Sequence, residues 1–88
     1  MTVPPPNDCE TIALAALAAT LSDERRAERF LALTGLSPDG IRSRLGDRHT
    51  LAACLAFLES HEPDLVAVAE AMGARPETLI AARAELEA

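Results

Sequence analysis

Six arginines fall within one stretch of the chain: Arg25, Arg26, Arg29, Arg42, Arg44 and Arg48. A guanidinium is always charged and presents a rigid fork of donors that fits carboxylates and phosphates. The group therefore suits an anionic partner. Arg25, Arg29, Arg42, Arg44 and Arg48 are the candidate partner-binding residues. The plainer reading is a solvated, salt-bridged face, with Glu28 three residues from Arg25 and Glu24 within reach of Arg25 or Arg29. No lysine occurs, which excludes a Schiff-base lysine and the lysine of a phosphate loop.

Other chemistry finds no pattern. Cys9, Cys54, His49 and His61 stand at no zinc-ligand spacing. Ser22, Ser37, Ser43 and Ser60 lack the Gly-x-Ser-x-Gly setting of an activated nucleophile. Tyr and Trp are absent, and Phe30 and Phe57 are the only aromatics, so a base-stacking platform is excluded. No catalytic residue, cofactor or metal is assigned, and the chain is expected not to be an enzyme.

Charge sorts along the chain. Residues 1–21 carry two acids and no base. Residues 22–48 carry six arginines against five acids, and residues 49–88 carry two against seven. The net charge is −6. Nucleic-acid binding needs clustered, unopposed positive charge, so the total argues against it. Only the middle third could receive an anion. A helix-turn-helix regulator reading DNA through Arg42, Arg44 and Arg48 is the alternative to a protein-interaction module, which binds another protein or a second copy of itself.

The elements that must carry these residues are helices. Ala and Leu dominate the apolar fraction, and Val and Ile contribute three residues each. The fold class expected is all-α, a compact bundle of five or six short helices. Residues 1–6, with Pro4–Pro6, form a tail expected to be disordered, and residues 7–88 form a single helical domain. Asn7 and Glu10 have capping-box spacing, and Leu14, Leu17, Ala18 and Leu21 mark a first helical face. Ser22 caps a second helix, with Ala27, Phe30, Leu31 and Thr34 inward, ended by Gly35. Ser37-Pro38 starts a third, with Ile41 and Leu45 inward, ended by Gly46.

Asp47 opens a fourth helix with Leu51, Cys54, Leu55 and Leu58 inward. Glu62-Pro63 opens a fifth with Leu65, Val68, Ala69 and Met72, ended by Gly73. Pro76 opens a sixth with Leu79, Ala82 and Leu86. The first and fourth helices have no charge over Ile12–Ala19 and Leu51–Leu58, so both are expected at the centre, packed together. Gly35, Pro38 and Ile41 recur 38 residues later as Gly73, Pro76 and Leu79. The first and fourth helices align best at 37. Either the chain is two three-helix units, or one common helix connector is used twice.

The run Arg29–Leu36, then Ser37-Pro38-Asp39 and the later Leu51–Leu58, resembles a small bacterial family known as domain of unknown function 3572. Phe30, Leu31, Thr34, Gly35, Leu36 and Pro38 carry the resemblance, with Phe57-Leu58 behind. It covers about residues 10–86. It implies a short, all-helical, cytoplasmic protein and assigns no activity, ligand or partner. The first cation is Arg25 and no apolar run exceeds eight residues, so neither an export signal nor a membrane span is expected.

Overall fold

A computed structural model describes residues 8–88. Residues 1–7 lie outside the described part, and with them the expectations for the Pro-rich tail and for Asn7 as a cap. Six helices follow: α1 (Cys9–Leu21), α2 (Glu24–Thr34), α3 (Pro38–Ser43), α4 (Arg48–Glu59), α5 (Glu62–Met72) and α6 (Pro76–Glu87). The fold is an all-α bundle. No described helix is long and apolar enough to cross a membrane.

The helix starts are set by short polar side chains accepting from orphan N–H groups. Asp8 caps α1: its Oδ1 accepts from the Glu10 N–H at 3.2 Å and its Oδ2 from the Thr11 hydroxyl at 2.7 Å. Asp47 caps α4 in the same way, accepting from the His49 N–H and the Thr50 hydroxyl. In both cases the threonine hydroxyl, then the backbone N–H, holds the carboxyl below its ordinary pKa. Ser37 caps α3 through the Gly40 N–H.

Ser22 does not cap α2. Its hydroxyl donates back to the Ala19 carbonyl and closes α1, while Asp23, in extended backbone, accepts from the Arg25 and Arg26 N–H groups. A carboxylate answers the positive end of a helix better than a hydroxyl already spent on the turn before. Gly35 and Gly73 end α2 and α5 with φ of 73° and 70°, as their places before Pro-started helices predict. The third helix falls short of Gly46. It stops at Ser43, so Leu45 lies beyond it and is 42% exposed rather than inward.

The core gathers Leu17, Phe30, Leu51, Leu55, Leu58, Val68 and Leu79, all nearly free of solvent contact. Phe30 meets Phe57 edge to face with ring centroids 5.4 Å apart. The faces expected for α2, α4, α5 and α6 are those observed. The α1 face is rotated. Ile12, Ala13, Ala16, Leu17 and Thr20 point inward, and Leu14, Ala18 and Leu21 point out. A helix with no charge between Thr11 and Leu21 has no polar face to set its rotation, so packing against α4, α5 and α6 decides it. Helices α1 and α4 pack together as expected, but α1 keeps a solvent-facing apolar strip.

Much of the burial pattern repeats at an offset of 38, including five positions of α1 and α4, where 37 was expected. Ile12, Ala13, Ala16, Leu17 and Thr20 fall on Thr50, Leu51, Cys54, Leu55 and Leu58, and all ten are buried. Phe30 falls on Val68 and Ile41 on Leu79, also buried. Ser22 and Ser60 close α1 and α4 with the same hydroxyl-to-carbonyl bond. The likeness therefore extends beyond the Gly-x-x-Pro connector. It is incomplete in length: α6 packs along both α1 and α4, whereas α3 is a six-residue helix buried only at Ile41.

Candidate binding grooves

The arginines divide between internal braces and free surface. Arg26 and Arg29 both grip Asp64 at the start of α5, Arg26 Nε reaching Oδ1 at 3.1 Å and Arg29 reaching Oδ2. The Asp64 side chain is only 8% exposed. Burial pushes its pKa up, but the hydrogen bonds from Arg29 and Arg26 outweigh that and hold it below the ordinary carboxylate value. The expected pairs of Arg25 and Arg29 with Glu24 or Glu28 do not form among the described residues. A nearly buried carboxylate, with little water to solvate it, is the stronger partner for Arg29.

Arg48 is also committed. Its guanidinium donates to the Glu85 carbonyl at 3.1 Å and faces the Glu10 carboxylate at 3.9 Å. It thereby ties the starts of α1 and α4 to the last turn of α6, where a cation is favoured. Arg42 makes an exposed pair with Asp39 at 3.5 Å. Arg25 and Arg44 form no ion pair among the described residues. Arg42, Arg44 and Arg48 are all exposed, but they differ in commitment: Arg42 pairs with Asp39, Arg48 with α6 and Glu10, and Arg44 with no acid among the described residues. Sequence reasoning missed Asp64, an acid in the first turn of α5. It also missed the pairing of Arg83 with Glu59 and Glu87, which fastens α6 to the end of α4.

Cys54 lies at the centre beside the Thr20 hydroxyl, 3.8 Å away. Burial pushes its thiol up to about 12, the threonine contact opposing only part of the rise. It packs as a small hydrophobe.

Two grooves open where the Gly-ended turns meet the central helices. The larger, about 570 Å³, has Thr11, Ile12, Ala15, Ala18 and Ala19 of α1 as one wall; residues 71–75 with Thr78 form the other. Arg75 is the one charged residue lining it among the described residues. The smaller, about 270 Å³, is lined by Thr34, Leu36, Arg44, Asp47, His49, Thr50 and Ala53. The first is an apolar slot with small side chains. The second is shallower and polar, with Arg44 and His49 opposite a capping carboxylate.

A family model described as a protein of unknown function, DUF3572, matches residues 6–88. The chain belongs to that family. No curated protein and no solved structure matches it. The DUF3572 match runs past both ends of the stretch on which the sequence resemblance rested. It takes in every residue of both grooves, the Arg26–Asp64–Arg29 cluster and the Arg48 brace, so within this DUF3572 chain the site must be read from geometry.

Proposed function

We propose that the chain is a non-enzymatic, cytoplasmic protein-interaction module that holds a short, uncharged, apolar peptide segment in the larger groove. The observation that carries this reading is the second apolar face of α1. Ala15 and Ala18 stand exposed on the groove wall, Leu14 is 40% exposed beside them, and Met72 and Ala74 face them across the slot. Small side chains let a peptide backbone come close, and a wall of α1 residues without charge keeps the polar desolvation cost on that side low, Arg75 lying on the opposite wall. The chain's overall −6 charge is carried elsewhere, so it does not act against an uncharged ligand.

A second reading, an acidic partner on the arginine surface, is favoured by Arg44, which lines the smaller groove and forms no ion pair among the described residues. The DNA-reading alternative asks for Arg42, Arg44 and Arg48 together, and Arg48 is spent on α6.

The test is capture from an extract of the native cell, with Ala18→Glu and a charge reversal of Arg42, Arg44 and Arg48 as controls. The captured partner is then purified and its affinity measured by calorimetry. Ala18→Glu should weaken binding about tenfold or more, equivalent to ~1.4 kcal/mol. A partner whose Kd is indifferent to Ala18→Glu but lost on charge reversal would replace the groove by the arginine surface. Saturable sub-micromolar binding of random duplex DNA near ~0.15 M salt would promote the regulator reading.

A further inference from the structure

The larger groove carries its free polar groups together. Arg75 and Thr78 stand three residues apart at the start of α6, and both line the slot. The ion pairs take up Arg26, Arg29, Arg42, Arg48 and Arg83. Arg75 is exposed and enters none of them among the described residues, where no acid lines the groove either. The Thr78 hydroxyl, half-buried, makes no hydrogen bond among the described residues, whereas the Thr11 hydroxyl is spent on Asp8. Arg75 does not serve its own helix. Under the 38-residue offset it takes the place of Ser37, whose hydroxyl accepts from the Gly40 N–H and caps α3. A guanidinium has donors only, so Arg75 gives α6 no side-chain cap. Two donors without acceptors thus stand beside an apolar slot, and an anionic acceptor suits them.

We infer that the segment held in the larger groove is the free C-terminus of a partner protein, with its last apolar side chains along the alanines and its terminal carboxylate on Arg75 and Thr78. The inference rests on the groove reading above and names which peptide the groove takes. The side chains stay uncharged, as in that reading, and the terminal carboxylate is the one charge. The guanidinium fork pairs with a carboxylate through two parallel N–H bonds, and the threonine hydroxyl adds a third donor. An alkyl carboxylate is a poorer match. The groove is open to water on one side, which leaves an alkyl chain partly wet but lets a peptide backbone keep its N–H and C=O groups solvated. The length fits. Thr11 to Ala19 covers ~12 Å of helix, room for about four residues of extended chain at ~3.3 Å each. The overall −6 charge acts weakly on the carboxylate, since charges beyond ~8 Å are largely screened near ~0.15 M salt and Arg75 is the charge on the groove.

The probe is the complete set of N-acetyl tetrapeptides of Ala, Val, Leu, Ile, Phe and Met, each made with a free carboxylate and as the C-terminal amide. The set is screened against the full chain, and the tightest pairs are measured by calorimetry. The free-carboxylate form should bind about tenfold more tightly than its amide, equivalent to ~1.4 kcal/mol. Arg75→Gln should bring the carboxylate form down to the affinity of the amide and leave the amide unchanged, while Ala18→Glu should weaken both. The Arg75 side chain makes no bond within the described fold, so Arg75→Gln should keep the melting temperature of the parent chain. Equal affinities of the two forms overturn the inference, as does a carboxylate preference that survives Arg75→Gln. Dodecanoate that displaces the best peptide while binding more tightly also overturns it, because the occupant is then a fatty acid. Equal affinities that both fall with Ala18→Glu remove this inference and keep the proposed function. No tetrapeptide with a Kd below ~1 mM in either form removes this inference, and the proposed function falls with it where capture also yields no partner sensitive to Ala18→Glu.

Discussion

Arg26 and Asp64 stand 38 residues apart and bond to each other at 3.1 Å, although they occupy the same position in α2 and α5. A two-fold relation between the two units is one arrangement that brings equivalent residues face to face. Glu10 and Arg48, at the same offset, also pair, at 3.9 Å. Each contact joins an arginine to an acid. In two identical units the same positions would set like charges against each other. The charges thus favour one half of the chain pairing with the other half over either half pairing with its own copy.

Loss of the Asp64 carboxylate should be felt as a brace removed. Asp64→Asn leaves Arg26, whose side chain is 14% exposed, without its main partner. A cost of ~2–3 kcal/mol in urea melts at pH 7 is expected, at or just below the range for a broken buried pair because Arg29 is half in water. The sign with pH follows from the lowered pKa. The stabilisation is complete above the unfolded value of about 3.9 and is lost as pH falls through the lower folded value. Asp64→Asn should therefore flatten part of the acid limb and leave the share of Asp8 and Asp47. An unchanged limb would remove Asp64 from that account.

Leu17 and Leu14 separate the two faces of α1. Leu17 is 2% exposed, so Leu17→Ala should cost ~2–5 kcal/mol through the cavity it leaves. Leu14→Ala, at a 40% exposed site, should stay within ~0.5 kcal/mol. Equal losses in denaturant melts would return α1 to the rotation read from its leucines.

The three turn glycines should respond differently to alanine. A Cβ at Gly35 or Gly73 meets nothing within 4 Å, so the cost there is backbone alone, ~1 kcal/mol or more for a φ near +70°. Gly46 has ample room and no positive φ. Gly46→Ala should be neutral or stabilise by up to ~1 kcal/mol, chiefly by restricting the unfolded chain. Thermal melts of the three variants give the comparison.

Thiol counting should show one reactive cysteine in the native protein. At pH 8, a thiol with a pKa of about 12 is thiolate for only ~1 part in 10,000 and is also shielded by packing. Cys9 is half-buried at the start of α1 and should react first with a disulfide reagent. Both should titrate in denaturant. Rapid native labelling of Cys54 would place it outside the core.

Much of the fold was legible because it is locally encoded. Asp47, Ser37-Pro38, Gly35 and Gly73 act within one turn of themselves, so their positions give helix ends directly. The inward faces of α2, α5 and α6 follow from apolar spacing interrupted by charge, and α4, uncharged over Leu51–Leu58, turns Leu51, Leu55 and Leu58 inward and the smaller Ala56 outward. Sequence alone also excluded lysine chemistry and base stacking, which depend only on which residues are present.

The rotation of α1, the committed partners of Arg29 and Arg48, and the grooves needed the tertiary structure. An uninterrupted apolar helix encodes burial without direction, and α4, α5 and α6 supplied the direction. A charged side chain pairs with whatever acid the fold places nearest in the driest setting, and for Arg29 that acid lies 35 residues away. The repeat was visible in the Gly and Pro connectors, but only three-dimensional packing brought equivalent residues such as Arg26 and Asp64 into contact, because which helices meet is a property of space and not of spacing.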